Sequence, residues 1–328
     1  PTHEQAFLFS RMRDRMPPSV GLAVATFDSF LAVQGKAAFV RTLERLAIPQ
    51  PESRIIRSEP ELRTEHRFPF FLKLDYSTAS TGTWRIDSPV SLARKVEELK
   101  ARGLFEGDRE WVVQLPAVGP VERVQTVFDR GRLVGMHGYQ QILESVGAGD
   151  ILKRSIDCSP VRPHIVRLGQ HLQWHGALSL DYILEDRIPR FIDANPRLVE
   201  PVNALLSGVN LAAALVKISC GEAVEMLPDS RCGVQTHMLL MGLLTAAGRR
   251  MSRIDVLREL GRAMTGGEPY KQSREELLPL HLDPPAVLPL AYVLSRLLVN
   301  PRSASTLSAG TVAAYSLSPE SARQVAAA

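Results

Sequence analysis

Gly176-Ala177-Leu178-Ser179-Leu180-Asp181-Tyr182, followed by Phe191-Ile192-Asp193-Ala194-Asn195-Pro196-Arg197, is the most informative part of this chain. Asp181 sits between Leu180 and Tyr182, and Asp193 between Ile192 and Ala194. A charge among such neighbours is costly unless something pairs it. The segments 177–184 and 189–194 read as two strands of a hairpin turning at Glu185-Asp186-Arg187. Antiparallel pairing around that turn puts the two carboxylates on neighbouring strands. Asp193 and Asn195 are two apart, so an extended strand shows both on one face. Three oxygen-bearing side chains then converge, which suits a hard cation. Magnesium commonly combines one or two carboxylates with phosphate oxygens. Arg197 follows at a place where a guanidinium can hold an anion or offset developing charge. Taken alone, Asp193 and Asn195-Pro196 also suit a capped turn.

Working outward, residues 66–220 alternate strand and helix patterns, which predicts an α+β or α/β architecture. Phe70 to Leu74 is an apolar strand carrying Lys73, and the Ser/Thr-rich loop Ser77 to Thr83 follows it. Ser88 and Pro89 open a helix that stops at Gly103. Trp111 to Leu115 is a strand. Val121 to Phe128 and Arg132 to His137 form a hairpin around Asp129-Arg130-Gly131. Arg162 to Trp174 reads as a helix. Towards the start, residues 4–16 have a helical rhythm, Val20 to Ala25 a strand-like run, and Gly35-Lys36 opens a helix to about Leu46. Beyond about residue 225, helical stretches are expected near 234–247, 253–264 and 286–299. His137, His164, His171 and His175 lack ligand-like spacing and are expected to pack or face solvent.

Composition narrows the class. With 328 residues, 45% hydrophobic and 23% charged, the chain can bury a core and has room for two domains. The net charge is +4, and no run of five like charges occurs. A nucleic-acid binder usually carries a clustered basic stripe, so small anionic ligands suit this charge better. Cys158, Cys220 and Cys232 form no CxxC pair, which argues against a disulfide framework and implies a reducing compartment. No apolar run reaches the ~18–20 residues needed to span a bilayer. Pro1 is not an initiator residue, and the start reads as the exit from an absent strand. An earlier N-terminal segment is therefore expected, and residues 1–30 are read as its remnant. No signal-peptide pattern stands at this end.

The pattern Asp181, Asp193, Asn195, Pro196, Arg197 resembles the ATP-grasp superfamily, in which two acidic residues at this interval precede an Asn-Pro-Arg segment. The run from Glu200 to Leu211 is similar to the segment after the metal ligands in carbamoyl-phosphate-synthase-like and biotin-carboxylase-like members. The first acid is often Glu there and is Asp here. The resemblance covers roughly residues 20–220. It implies two α+β lobes clasping ATP over residues 31–225, with 226–328 as a helical C-terminal extension. It implies Mg2+, or Mn2+ in its place, on Asp181, Asp193 and Asn195. Lys36 and Lys73 match lysines that reach the nucleotide. Ser77 and Gly82 stand in the place of a phosphate loop, although that loop is poor in glycine here. Gln114 and Leu115 match the adenine-reading strand, and Glu122 lies near a ribose-binding acid. Arg197 and Arg154 are placed near the transferred phosphate.

The activity implied is ADP-forming ligation of a carboxylate to an amine or another nucleophile, through an acyl phosphate. Alternatives are a carboxylase-like or carbamoyl-phosphate-synthase-like reaction on bicarbonate, a phosphotransferase, and a nucleotide-binding regulator without catalysis. The expected setting is cytoplasmic, with small-molecule carboxylate and amine partners, no nucleic acid and no membrane. Family members often form homodimers.

Overall fold

The computed structural model describes residues 3–64, 67–76, 82–107, 109–146, 149–277, 280, 282–315 and 324–325. Two sheets organise them. The smaller contains β1 (Ser53–Ile56), β2 (Phe70–Leu74), β3 (Thr83–Ile86) and β4 (Trp111–Gln114), antiparallel in the order β1-β4-β2-β3. The larger contains β5 (Val121–Asp129), β6 (Arg132–Glu144), β7 (Asp150–Ile156), β8 (Gly176–Glu185), β9 (Ile188–Asn195), β10 (Gln235–His237) and β11 (Arg274–Glu275). Its order is β11-β10-β7-β6-β5-β8-β9. This is the expected α+β arrangement of two lobes.

Both expected hairpins form. Arg130 and Gly131 turn β5 into β6, and Asp186 and Arg187 turn β8 into β9. All four residues have positive φ, the backbone of two-residue turns whose twist matches the strands they join. The helix Pro89–Ala101 packs Leu92, Val96 and Leu99 against Phe70, Leu72 and Trp111 of the small sheet. Ser88 caps it by accepting from the Ser91 N–H, as expected.

The helix Lys36–Arg45 is a wedge between the lobes. Phe39 and Leu43 join the large lobe's core, while Ala37 and Val40 pack on Val112 of β4. Its N-cap, Gly35, has no side chain to offer. Asp75, just past β2, substitutes: its Oδ1 accepts from the Ala37 N–H at 2.8 Å, and its carbonyl from the Lys36 N–H at 3.2 Å. The small lobe thereby fixes the start of the helix that carries Lys36.

Three expectations need correction. Val20 to Ala25 forms no strand; the Val24 carbonyl accepts from Arg13 Nη1 and the Ala25 carbonyl from Ser10 Oγ, so side chains of the first segment occupy two acceptors a ladder would need. The helix expected near 234–247 starts only at Leu239, because Gln235–His237 extends as β10 against β7. The chain after 225 is accordingly more than helical, since β10 and β11 extend the large sheet. Its helices, Leu239–Arg250, Arg253–Thr265, Val287–Val299 and Ser303–Tyr315, share a separate cluster that includes Leu243, Val256 and Leu297. Among the described residues no helix is long and apolar enough to cross a membrane.

Gly169, in the helix Arg162–His171, lies against Phe128. A Cβ built there would stand 2.1 Å from the Phe128 ring. Alanine favours a helix over glycine by up to about 1 kcal/mol, but overpacking a core costs about 1–3 kcal/mol. With so close a contact the clash dominates. Gly169→Ala should therefore lower the urea midpoint with little change in slope.

Candidate functional site

Asp181 and Asp193 face one another across a single rung of the β8–β9 ladder. Their neighbours Leu180, Tyr182, Phe191 and Ala194 point to the opposite face and are buried in the large core. Phe191 and Ala194 are three apart yet both face that core, which a period of two forbids. An irregularity between Asp181 and Tyr182 resolves this: Tyr182 pairs with Phe191, and Ile192 is the extra residue. Such bulges bend a strand and re-aim its groups. Here the Ile192 carbonyl accepts from Lys73 Nζ at 2.9 Å. Lys73 also donates to Gln114 Oε1 at 2.6 Å, and Gln114 Nε2 donates to Ser53 Oγ at 3.0 Å. Lys36 Nζ reaches Asp193 Oδ1 at 2.8 Å. Lysines from the wedge helix and the small sheet thus meet the acidic rung of the large sheet.

The two carboxyls titrate differently. Burial pushes Asp181 up, Arg123 offsets this in part, and nearby Asp193 adds to the rise. Burial also opposes charge on Asp193, but Lys36 and Lys73, with hydrogen bonds from Lys36 and the Ala194 N–H, hold it below the usual value. Lys73 is pushed down to about 8, chiefly by burial and then by Lys36.

Asn195 pairs with Ser179 one rung pair further along the ladder, on the face of the two acids. The main-chain carbonyl of Arg197 accepts from Ser179 Oγ at 2.7 Å, which fixes the backbone beyond Asn195. Among the described residues no three His, Cys, Asp or Glu side chains gather as a metal nest. Two carboxylates and an amide still fit a magnesium ion that arrives with phosphate oxygens, since that ion takes few protein ligands.

The other expected residues divide. Gly82 lies beside Lys73, its carbonyl accepting from the Leu74 N–H at 2.8 Å. Ser77 lies outside the described residues. The Gln114 side chain holds Lys73, and the Leu115 N–H is taken by the Glu52 carbonyl at 2.9 Å. A base could therefore be read at Leu115 through its carbonyl but not its N–H. Glu122 and Arg154 fall on the wrong face. Glu122 pairs with Tyr182 in register and hydrogen-bonds to it behind the sheet. Arg154 is exposed and donates to Gln140 at 3.1 Å. The neighbour of each faces the acids instead. Arg123 pairs in register with Asp181 and bridges Asp150 at 2.5 Å and Asp181 at 3.4 Å. Lys153, fully buried, contacts Glu200 at 2.9 Å and Glu276 at 2.8 Å. Burial opposes its charge, but the surrounding acids hold its pKa well up.

Arg123, Asp150, Lys153 and Glu276 were given no role in the sequence reading, and Glu200 was read only as the start of a family-like segment. Arg123 and Lys153 left a trace, as cations amid strand residues one position from those chosen. Glu276 left none, because only folding brings residue 276 to β7. His137 packs as expected, its Nε2 2.8 Å from Asn203 Oδ1, and burial lowers it to about 4.

This architecture is shared with known proteins. The chain superposes on carboxyaminoimidazole ribonucleotide synthase from Aspergillus clavatus, complexed with ATP, with a TM-score of 0.58 and 13% identity, over 84% of this chain and 76% of that one. The biotin carboxylase domain of Hydrogenobacter thermophilus 2-oxoglutarate carboxylase, a dimer with MgADP and bicarbonate, gives 0.58 and 14% over 71% and 55%. L-amino acid ligase from Bacillus licheniformis gives 0.55 and 15% over 72% and 61%. In sequence the chain is similar to the carbamoyl phosphate synthase large chain of Deinococcus radiodurans, 24% identical over 235 residues. That match spans 67% of this chain and 22% of the relative. No family model matches. The chain has the ATP-grasp fold.

Lys73 gives the site a pH signature. Unfolded, a lysine titrates near roughly 10.4. With a folded value of about 8, the unfolded chain binds more protons in between. Stability contributed by this group therefore rises with pH across that window. The charge that Lys73 would offer a phosphate, under the function proposed below, is lost over the same window. MgADP affinity, measured by calorimetry, should fall as pH rises through about 8, and Lys73→Met should remove that inflection.

Proposed function

We propose that the chain is an ATP-dependent, ADP-forming ligase that joins a carboxylate to an amine or another nucleophile. The observation carrying this reading is the acidic rung, Asp181 opposite Asp193, met by Lys36 and Lys73 from the other lobe. Phosphoryl transfer needs positioning and charge stabilisation rather than a protein nucleophile. A rung of acids faced by lysines supplies both.

Lys36 and Lys73 would bind the nucleotide's phosphates, with Gln114 setting the position of Lys73. The crevice lined by Lys36, Lys73, Gln114 and Ile192 holds ≈ 10 Å³, no more than a water. The lobes must part there for a nucleotide to enter, a common prelude to closure over substrate. Asp181, Asp193 and Asn195 would hold Mg2+, or Mn2+, which when bound neutralises phosphate charge and orients the chain of phosphates. A substrate carboxylate oxygen attacks the γ-phosphorus, the bond to the bridging oxygen breaks, and ADP leaves. The acceptor then attacks the acyl carbon, releasing phosphate, and the amine loses its proton. Arg197, just past Asn195, is the residue we assign to the transferred phosphate, and Arg154 is not.

A reaction on bicarbonate is the second reading. It is favoured by the similarity to a carbamoyl phosphate synthase chain and by a structural relative that holds bicarbonate. By analogy with that relative, a homodimer is the expected assembly. Cys158, Cys220 and Cys232 are free thiols, in keeping with a reducing, cytoplasmic setting.

Screening ADP release over carboxylic acids, amines and bicarbonate tests the proposal. Turnover should require an acid and an acceptor, and should release phosphate. Asp193→Ala should lower it by about 100-fold or more, because a catalytic metal supplies several kcal/mol. Full turnover in that variant overturns the site. Tight MgATP binding without turnover across the panel would instead indicate a regulator.

A further inference from the structure

At the far end of the large sheet a second cavity, of ≈ 400 Å³, opens between β10, β11 and the end of the helix Val202–Leu206. Leu206, Arg231, Cys232, Gln235, Gln272 and Arg274 contribute to its wall. From β8 to β10 is four strand spacings, or roughly 19 Å at about 4.8 Å per strand. The cavity is therefore well separated from the acidic rung.

Its charge is one-sided. Two guanidinium groups line it and no carboxylate does. Among the described residues neither Arg231 nor Arg274 makes an ion pair, unlike Arg123 or Arg162 on the same lobe. Arg231 is nonetheless held in place. The Arg231 N–H donates to the Ser207 carbonyl at 2.9 Å, and its Nη2 to the Leu206 carbonyl at 2.8 Å. Arg274 pairs in register with Thr236, itself opposite Lys153, so all three share a sheet face. Gln272 adds an amide from a backbone held at φ 65°, a conformation most side chains avoid and surrounding structure must impose. Guanidinium groups without acidic partners recognise carboxylate and phosphate oxygens. The volume lies in the range of small-molecule pockets.

We propose that this cavity binds a small anion, a carboxylate or a phosphate ester, through Arg231 and Arg274. The site goes beyond the ligase reading and does not depend on it. Cys232 provides a local probe. Cys220 is also exposed but does not line the cavity, and Cys158 is buried. In the full chain, alkylation by iodoacetamide is followed at each cysteine by peptide mass, with succinate, inorganic phosphate or neutral succinamide added. Succinate or phosphate should slow Cys232 saturably, by about tenfold near ten times its Kd, because only the free protein reacts. Cys220 should be unaffected, and succinamide inert. Protection by succinate alone assigns a carboxylate, and by phosphate alone a phosphate ester. Arg274→Gln, on an exposed strand end, should abolish the protection, and Arg231→Gln should weaken it. Asp193→Asn should leave it intact, which separates this site from the proposed metal site. Absence of protection by either anion, equal slowing of Cys220, or protection that survives both arginine variants overturns the proposal.

Discussion

Two half-buried carboxylates that face each other across one rung repel one another and lose part of their hydration at once. The structure around β8 and β9 is arranged against that cost. Asp181 has Arg123, which is steadied from its other side by Asp150. Asp193 has Lys36, with Lys73 close behind it. The cations come from the wedge helix, the small sheet and β5, so balancing one rung ties both lobes together. Under the proposed reading, phosphate oxygens would draw Lys36 and Lys73 away and leave Asp193 to a cation. Exchanging partners in this way leaves the local charge nearly unchanged.

Strand periodicity explains both what the sequence revealed and what it hid. The hairpin at Asp186-Arg187 was legible because apolar residues flank each acid and a short polar turn separates the two runs. The pairing of the two strands followed, but plain register from that turn sets Asp181 opposite Ile192; the extra residue at Ile192, which has no local signature, brings Asp193 to face Asp181. Two other strands were read one residue out of phase. Glu122 was chosen over Arg123, and Arg154 over Lys153. In a strand a shift of one residue exchanges faces, so each choice fell one rung away, on the opposite side of the sheet from the acids. Both faces of β5 and β7 carry polar residues, so alternation alone could not decide. The neighbours in space decided: Tyr182 receives Glu122, while Asp181 and Asp150 receive Arg123.

What lay beyond the sequence were contacts between distant segments. Asp75 caps a helix that starts at residue 36, and Glu276 meets Lys153. Neither has a local signature. The helical expectation for residues after 225 was sound for Arg253–Thr265 and Val287–Val299, where apolar spacing is clear. It failed at Gln235–His237, where pairing with β7 overrides local preference. That short strand matters, because it carries β11 and so brings Glu276 to the buried lysine.

One face of the large sheet changes character along its strands. At one end Val127 and Ala204, with Leu211 and Ala214 of the helix Leu211–Ser219, make a closed apolar cluster. One step along, Gln125 and Ser179 are uncharged and buried, and their groups reach the backbone of Val199 and Arg197. His137, kept neutral by burial, bonds Asn203 at this level. One step further stand Arg123, Asp181 and Asp193. Had the whole face been meant for a core, the last level would be apolar too, since replacing a buried ion pair by well-packed hydrophobic residues is often neutral or stabilising. Had it been meant for bulk solvent, these charges would not need such close pairing. Charges that are paired, half-buried and met by lysines from the wedge helix and the small sheet answer to neither demand. They make sense as groups kept ready for charges that arrive with a ligand.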